Sequence, residues 1–269
     1  MRIAAVQMQS TSNRSANMAQ ALELLHEAVA REAELVAFPE NFSFIPANPE
    51  EWESEAESQT GLTVSTLQEW AAENDVWILG GSIPLKRGKS GIAQASLLID
   101  SDGEIAARYN KMHLFDAEVP RGQNESVKYE ESKFFQAGKK PVLAETPWGL
   151  AGMSLCYDLR FPELYRAYSK EGANLLFAPS AFTEPTGKAH WDVLTRARAI
   201  ENQAFVIAPA QWGENVPGRR TYGYTRIVDP WGKIIAERNA GPGVVMARLN
   251  FAEIEQIRAR MPVQSHRKL

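Results

Sequence analysis

Three residues whose types could together perform nucleophilic catalysis each stand directly after a buried, strand-like run. Cys156, the only cysteine in 269 residues, follows "LAGMSL", Glu40 follows "LVAFP", and Lys111 follows "IAARYN". A thiol can attack a carbonyl, a carboxylate can move the proton, and an ammonium can stabilise the oxyanion that develops. This combination is typical of acyl transfer.

Each of these residues also has a simpler interpretation. A lone cysteine is commonly a small buried apolar residue, and a charged residue at a strand end commonly lies on the surface. A Cys–His pair would need His113 or His190, and "GMSLC" lacks the last glycine of the G-x-S-x-G elbow. If Cys156 is catalytic, the helix predicted just beyond it lowers the thiol pKa. On residue types and spacing alone, the catalytic and structural interpretations both stay open.

The elements that must position these residues alternate between strands and helices, which indicates α/β architecture. We predict a hairpin with an Asp-Gly turn over 95–110 and a polar surface loop beside the site over 116–140. In open α/β sheets, ligands bind outside the carboxyl ends of the strands, where the three residues are placed. The predicted strands are 2–8, 34–39, 76–82, 149–155, 174–179 and 204–210, and the predicted helices are 13–32, 62–74, 161–171 and 189–202.

The two halves of the chain resemble each other. "AELVAFPENF" (33–42) is similar to "ANLLFAPSAF" (173–182), and "LLIDSDGEIAARY" (97–109) is similar to "RIVDPWGKIIAER" (226–238). Chance similarity is possible because buried strands use few residue types, but two matches in the same order favour internal duplication. No Pro/Gly/Ser-rich linker separates the halves, so we predict a single domain over residues 1–269.

Composition excludes several classes of function. The net charge is −4 and the pI about 5.7, without a Lys/Arg block that would indicate a nucleic-acid partner. The apolar runs are far shorter than the ~20 residues that span a bilayer, and the N-terminus lacks a signal-peptide apolar region. One cysteine cannot form an internal disulfide, and no Cys/His cluster has zinc spacing. We therefore expect a cytoplasmic protein with no membrane partner, metal or cofactor.

Three motifs carry a resemblance to a known family. "AFPENFSF", "RYNKMHLFDAEVP" and "SLCYDLRFPEL" resemble the Glu, Lys and Cys motifs of the nitrilase superfamily of carbon–nitrogen hydrolases. The resemblance extends end to end, and "HWDVLTRARAIENQ", "YGYTRIVDPWG" and "RMPVQSHR" are similar to blocks of the branch that hydrolyses deaminated glutathione. It implies a four-layer αββα sandwich built from two similar halves. It also implies a homodimer or higher oligomer of αββα–αββα form, paired through the helices near Phe161 and His190.

The resemblance implies a role for each motif residue. Cys156 would be the nucleophile, Glu40 the general base and Lys111 the cation at the oxyanion. A further catalytic glutamate, followed by serine and later by glycine, fits Glu131 best, although Glu125 is also followed by serine. No cofactor is implied.

The residues around the nucleophile indicate the substrate. True nitrilases typically have Trp after the cysteine, whereas this chain has Tyr157, which favours an amidase. The backbone N–H of Tyr157 would help to hold the oxyanion. Arg160 is a candidate for a substrate carboxylate, although it could instead pair with Asp158 or Glu163. We also place Phe182 and Thr183 in the pocket wall, and Tyr222 and Tyr224 are further candidates.

Several functions remain open at this point. The first is a thiol-dependent amidase acting on a small carboxylate-bearing amide, above all deaminated glutathione, through a Cys thioester. Alternatives within the enzyme class are an omega-amidase acting on 2-oxoglutaramate-type amides and another small amide or nitrile hydrolase. From a different class, the chain could be a non-catalytic binding module, against which the intact Glu40, Lys111 and Cys156 argue.

Overall fold

The computed structural model describes residues 1–88, 91–121 and 125–268. The helices are α1 (Arg14–Ala30), α2 (Glu51–Ser54), α3 (Leu62–Asn74), α4 (Pro162–Lys170), α5 (Glu184–Asn202) and α6 (Ala252–Arg260). The strands are β1 (Arg2–Gln7), β2 (Leu35–Ala37), β3 (Trp77–Leu79), β4 (Ile83–Lys86), β5 (Ile92–Ile99), β6 (Ile105–Asn110), β7 (Asp116–Arg121), β8 (Glu125–Glu130), β9 (Leu143–Thr146), β10 (Gly149–Met153), β11 (Leu175–Phe177), β12 (Phe205–Ala208), β13 (Trp212–Val216), β14 (Arg219–Tyr222), β15 (Thr225–Val228), β16 (Ile234–Arg238) and β17 (Gly243–Arg248).

Most strands form two sheets with the same plan. The first has the order β17-β1-β2-β3-β5-β4 with β6 paired to β5, and the second has the order β16-β15-β12-β11-β10-β9. In the first sheet β1, β2 and β3 are parallel, and β17 pairs antiparallel with β1. In the second, β10, β11 and β12 are parallel, and β9 pairs antiparallel with β10. The two similar halves predicted from the sequence are thus confirmed.

The repeated hairpin turn shows the duplication at atomic detail. Asp100 Oδ1 accepts the backbone N–H groups two and four residues along the chain, at 3.1 and 2.8 Å. Asp229 Oδ1 accepts the equivalent pair at 2.9 and 2.8 Å. Gly103 and Gly232 follow with φ of 82° and 88°, a left-handed conformation that glycine adopts without steric cost.

The sheets lie face to face with helices outside. Side chains alternate along each strand, so Ile3 and Ala5 of β1 pack between the two sheets while Ala4 and Val6 face α1 and α3. The outer face of the second sheet packs against α4 and α5 through Tyr165, Trp191 and their neighbours. These layers form the αββα sandwich that the sequence predicts.

Two elements differ from the sequence-based prediction. The stretch 116–140 is mainly the hairpin β7–β8 and a 3₁₀ turn over Glu131–Lys133, rather than a loop; positions 122–124 lie outside the described residues. Ala117 and Val119 of β7 face Tyr129 and Val127 of β8 and alternate with polar residues, but two apolar positions in each strand are too few to stand out in a polar stretch. Helix α5 begins at Glu184 rather than at 189, with Pro185 in its first turn, where proline is favoured. Within the described ranges, no helix is both long and apolar enough to span a bilayer.

Candidate active site

The ammonium of Lys111 lies between two carboxylates. Its Nζ donates to Glu40 Oε1 at 2.8 Å and to Glu131 Oε1 and Oε2 at 3.0 and 2.8 Å. Lys111 is 1% exposed and Glu40 2% exposed. Since ions this deeply buried need partners, the two carboxylates hold the Lys111 ammonium in place.

The Glu40 and Lys111 segments are joined through Gln94. Asn41 adopts a left-handed φ of 57°, and its N–H donates to Ser82 Oγ at 2.9 Å. Gln94 Nε2 donates to Asn41 Oδ1 at 2.9 Å, and the Gln94 carbonyl accepts the Lys111 N–H at 2.9 Å. A single strand residue, Gln94 of β5, thereby fixes the carboxylate segment relative to the lysine.

The structure places Glu131, and not Glu125, against Lys111. Glu131 begins the 3₁₀ turn after β8, and its Oε2 also accepts the Phe115 N–H at 2.8 Å. Glu125 is an exposed residue at the start of β8, opposite Arg121 in the hairpin register. Of the two Glu-Ser pairs, only that of Glu131 therefore has the geometry of a site residue.

Cys156 occupies a strained turn directly after the second-sheet strand β10. It begins a 3₁₀ turn over Cys156–Arg160 with a φ of 44°, which is uncommon for a side chain other than glycine. Its N–H donates to the Pro179 carbonyl at 2.9 Å, which holds the turn against the end of β11. Such strain clusters at functional sites, and here the half-buried Cys156 lines a pocket.

The thiol is held protonated rather than ionised. Burial raises the pKa of Cys156 well above its usual value, the Glu40 carboxylate raises it further, and Lys111 opposes both. The expectation that a helix N-terminus lowers this pKa is therefore wrong, because α4 begins six residues later, at Pro162. Burial opposes the charge of Lys111, but the Glu131 and Glu40 carboxylates outweigh burial and raise the Lys111 pKa.

A polar cluster that sequence analysis missed supports the turn that begins at Cys156. The buried carboxylate of Asp158 accepts the Tyr109 hydroxyl at 2.7 Å and the Leu155 N–H at 2.8 Å. Asp158 Oδ1 accepts the His113 N–H at 3.0 Å and contacts His113 Nδ1 at 2.6 Å. His113 is thus engaged with Asp158, and neither it nor His190 lines the pocket, which argues against a Cys–His pair.

One pocket, of about 380 Å³ including space open to solvent, is lined by the site residues predicted from the sequence except Tyr222 and Tyr224. The predicted residues that line it are Glu40, Lys111, Glu131, Cys156, Tyr157, Arg160, Phe182 and Thr183. Tyr222 and Tyr224 are outside its lining and stack on each other with ring centroids 4.4 Å apart. The pocket also includes Phe115, Tyr129, Ala181, Thr186 and Arg219, which sequence analysis did not identify.

Arg160 carries an available positive charge. Its guanidinium lies over the rings of Tyr157 and Phe182, 5.7 and 5.2 Å from their centroids, and donates to His190 Nδ1 at 3.2 Å. Burial and the Arg160 charge lower the pKa of His190, which favours this neutral acceptor. Among the described residues, no carboxylate forms an ion pair with Arg160, so the alternative pairing with Asp158 or Glu163 is wrong.

Among the pocket residues that sequence analysis missed, Arg219 is the one with a charged side chain. It follows Gly218 in a short turn between β13 and β14, within the sequence "NVPGRRTY". The Pro-Gly pair predicts a turn, but nothing local indicates that the turn folds back over the pocket. The lining position depends on pairing between distant segments, which a single sequence does not reveal.

Comparisons with known proteins agree with this geometry. Residues 2–259 match the model of the carbon–nitrogen hydrolase family. A deaminated glutathione amidase from Synechocystis sp. is 45% identical over 268 residues, covering 98% of this chain and 97% of the relative.

Two solved structures are similar to this chain in both fold and sequence. Nit3 of Saccharomyces cerevisiae, described as a member of branch 10 of the nitrilase superfamily, superposes with a TM-score of 0.89 at 30% identity, covering 100% of this chain and 97% of that chain. The NitFhit protein of Caenorhabditis elegans gives a TM-score of 0.90 at 38% identity, and the match covers 99% of this chain but only 65% of NitFhit. The chain belongs to the carbon–nitrogen hydrolase family, within the nitrilase superfamily that its motifs resemble.

Proposed function

We propose that the protein is a thiol-dependent amidase that hydrolyses deaminated glutathione through a thioester on Cys156. Membership of the carbon–nitrogen hydrolase family makes it a hydrolase of carbon–nitrogen bonds acting on a small-molecule amide. The observation that carries the proposal is the buried Glu40–Lys111–Glu131 ion cluster in one pocket with Cys156. The name of the Synechocystis relative supports the choice of substrate.

In the first half of the reaction, Glu40 takes the proton of the Cys156 thiol as sulfur attacks the amide carbonyl. The raised pKa of the thiol fits this order, because the proton leaves only when the attack occurs. Lys111 and the N–H of Tyr157 stabilise the oxyanion; removing one such donor typically costs ~100–1,000-fold in rate. The carbon–nitrogen bond then breaks, and the amine leaves with the proton from Glu40.

In the second half, water hydrolyses the thioester. Glu40 takes a proton from the water, whose oxygen attacks the acyl carbon, and the carbon–sulfur bond breaks as sulfur regains a proton. With deaminated glutathione the products are 2-oxoglutarate and cysteinylglycine. Glu131 fixes Lys111 throughout, since both its oxygens lie within 3.0 Å of the ammonium.

The substrate and the pocket have complementary charges. Deaminated glutathione carries carboxylates at both ends, and Arg160 lies above Tyr157 without a carboxylate partner in the described part of the chain. An arginine fork binds carboxylates in two-point geometry. We infer that Arg160 binds one of the two carboxylates, with Phe182 and Thr183 as pocket wall.

We further propose that the chain acts as a single domain over residues 1–269 and assembles as a homodimer through its outer helices. Val193 and Ile200 on α5 are 66% and 50% exposed, which favours a covered face there. Analytical ultracentrifugation tests the assembly: a dimer at micromolar concentration is expected, and a monomer of 29.9 kDa would contradict it.

Product release from a small substrate panel tests the function. The purified protein is incubated with deaminated glutathione, 2-oxoglutaramate and a simple nitrile, and cysteinylglycine or ammonia is measured, with Cys156→Ala as the inactive control. We expect the highest kcat/KM with deaminated glutathione. Turnover of nitriles alone contradicts the amidase assignment. No turnover on the whole panel, together with no preferential labelling of Cys156 by iodoacetamide, would favour the binding module.

A further inference from the structure

The catalytic pocket continues into a second, larger cavity. The outer cavity beside the catalytic pocket is the larger of the two and is more open to solvent. Both are lined by Phe115, Tyr129, Glu131 and Arg219, so these four residues mark the passage between them. Arg160 lines only the inner pocket. An elongated substrate held at Cys156 therefore extends past Arg219 with the part that does not fit inside.

Arg219 carries the positive charge available at this passage. Within residues 1–88, 91–121 and 125–268 its side chain has no ion pair, and its Nε is buried without a hydrogen-bond partner. The other cation of the outer cavity, Lys128, lies 2.8 Å from Glu130 and is thus already paired. A partly buried guanidinium without a carboxylate is unfavourable unless a ligand supplies one.

The hairpin β13–β14 fixes Arg219 relative to the pocket wall. The Tyr222 N–H donates to the Phe182 carbonyl at 3.0 Å, and Thr221 bridges to Thr183. Side chains alternate along β14, so Arg219 faces the cavities while Arg220 faces away and pairs with Glu184 at 3.1 Å. The two adjacent arginines thus have opposite environments.

We propose that Arg219 binds the carboxylate at the leaving-group end of the substrate, and so selects amides whose leaving amine bears a carboxylate. This inference rests on the proposed function, in which that group is the glycyl carboxylate of deaminated glutathione. Arg160 in the inner pocket then serves the 2-oxo acid end, and the scissile amide lies between the two arginines at Cys156. An amide that releases ammonia, such as 2-oxoglutaramate, has no group for Arg219 to bind.

A comparison of two arginine variants on three substrates tests the proposal. The substrates are deaminated glutathione, the same molecule with its glycyl carboxylate converted to an amide, and 2-oxoglutaramate. For Arg219→Gln we expect kcat/KM on deaminated glutathione to fall by about 10- to 100-fold, chiefly through KM, as charge-assisted hydrogen bonds are lost. For the other two substrates we expect kcat/KM to change by less than about threefold. In Arg220→Gln, the matched control, we expect kcat/KM to stay unchanged on all three substrates.

The outcomes distinguish a failure of the role proposed for Arg219 from a failure of the proposed function. If the wild type hydrolyses 2-oxoglutaramate but not deaminated glutathione, both the proposed substrate and the proposed role of Arg219 are contradicted. If the wild type prefers deaminated glutathione, yet Arg219→Gln keeps that preference or slows all three substrates equally, only the role of Arg219 falls. Carboxylate binding is supported over a purely structural role if Arg219→Lys restores part of the preference for deaminated glutathione and leaves kcat/KM unchanged on the substrate whose glycyl carboxylate is an amide.

Discussion

Asp158 Oδ1 lies 2.6 Å from His113 Nδ1, and this contact joins the segment of the nucleophile to the segment of the lysine. Asp158 is two residues after Cys156, and His113 is two residues after Lys111. The His113 ring also stacks on Phe161 with centroids 3.7 Å apart, so the joint is packed as well as hydrogen-bonded. The position of the thiol relative to the ammonium therefore depends on a carboxylate outside the pocket lining.

Replacing Asp158 by alanine should destabilise the protein strongly. The change leaves the Tyr109 hydroxyl and the Leu155 and His113 N–H groups without their acceptor, at a cost of roughly 3–5 kcal/mol in the free energy of unfolding. Urea denaturation measures it. Asp102→Ala, an exposed residue in a hairpin turn, should change the value by less than about 0.5 kcal/mol. Equal stability of the two variants would contradict the support proposed for the nucleophile turn.

Replacing Glu40 by glutamine should make the thiol more reactive while abolishing hydrolysis. The Glu40 charge raises the Cys156 pKa and Lys111 lowers it, so removing the carboxylate lets the pKa fall. We expect the rate of iodoacetamide alkylation to begin its rise with pH at a lower pH in the variant than in the wild type. The rate of amide hydrolysis should fall by about 100-fold or more. A pKa from alkylation equal to or above that of the wild type would contradict this electrostatic assignment.

The two Glu-Ser pairs provide a matched test of the second glutamate. Glu131→Gln removes one of the two carboxylates around Lys111 and should lower kcat by roughly 10- to 1,000-fold, because the cation loses its orientation. Glu125→Gln alters an exposed residue in the hairpin and should leave kcat within about twofold. Initial rates of amide hydrolysis decide between them, and a larger loss in the Glu125 variant would reverse the assignment.

Two glycines provide a test of how tightly the general base is held. A Cβ at Gly81 would lie 1.9 Å from the Pro39 carbonyl oxygen, one residue before Glu40, whereas a Cβ at Gly88 would meet nothing within 4 Å. Both have positive φ, so both alanine variants bear a backbone cost of about 1 kcal/mol. Only Gly81→Ala should also displace Glu40, lowering kcat by about tenfold or more. Similar kcat values for both variants would show that the Pro39 segment can shift without displacing Glu40.

The sequence predicted which residues gather at the candidate site, because Glu40, Lys111 and Cys156 each follow a strand-like run and lie in motifs that resemble those of the nitrilase superfamily. The structure brings the three strand ends together although they belong to two different sheets, since Glu40 follows β2, Lys111 follows β6 and Cys156 follows β10. The duplicated Asp-to-Gly turns also predicted the two similar halves. These features are local in sequence, so a single chain reveals them.

The features that sequence analysis missed depend on distant contacts. Asp158 looks like an ordinary acidic residue until Tyr109 and His113 converge on it from 49 and 45 residues away. The direction of the Cys156 pKa shift was predicted wrongly because burial and Glu40, not a helix terminus, dominate its surroundings. Arg219 lines the pocket only because β14 pairs with a segment near Thr183.

Because Glu40 follows β2 of the first sheet and Cys156 follows β10 of the second, the spacing of these two residues depends on the layer of side chains between the sheets. Leu35 and Ala37 form one side of that layer, and Met153 and Phe177 form the other. Close-packed interiors transmit a change of even one methylene. Repacking this layer should therefore change the spacing between Glu40 and Cys156, and with it the rate of the proposed hydrolysis, without altering any group that touches the substrate.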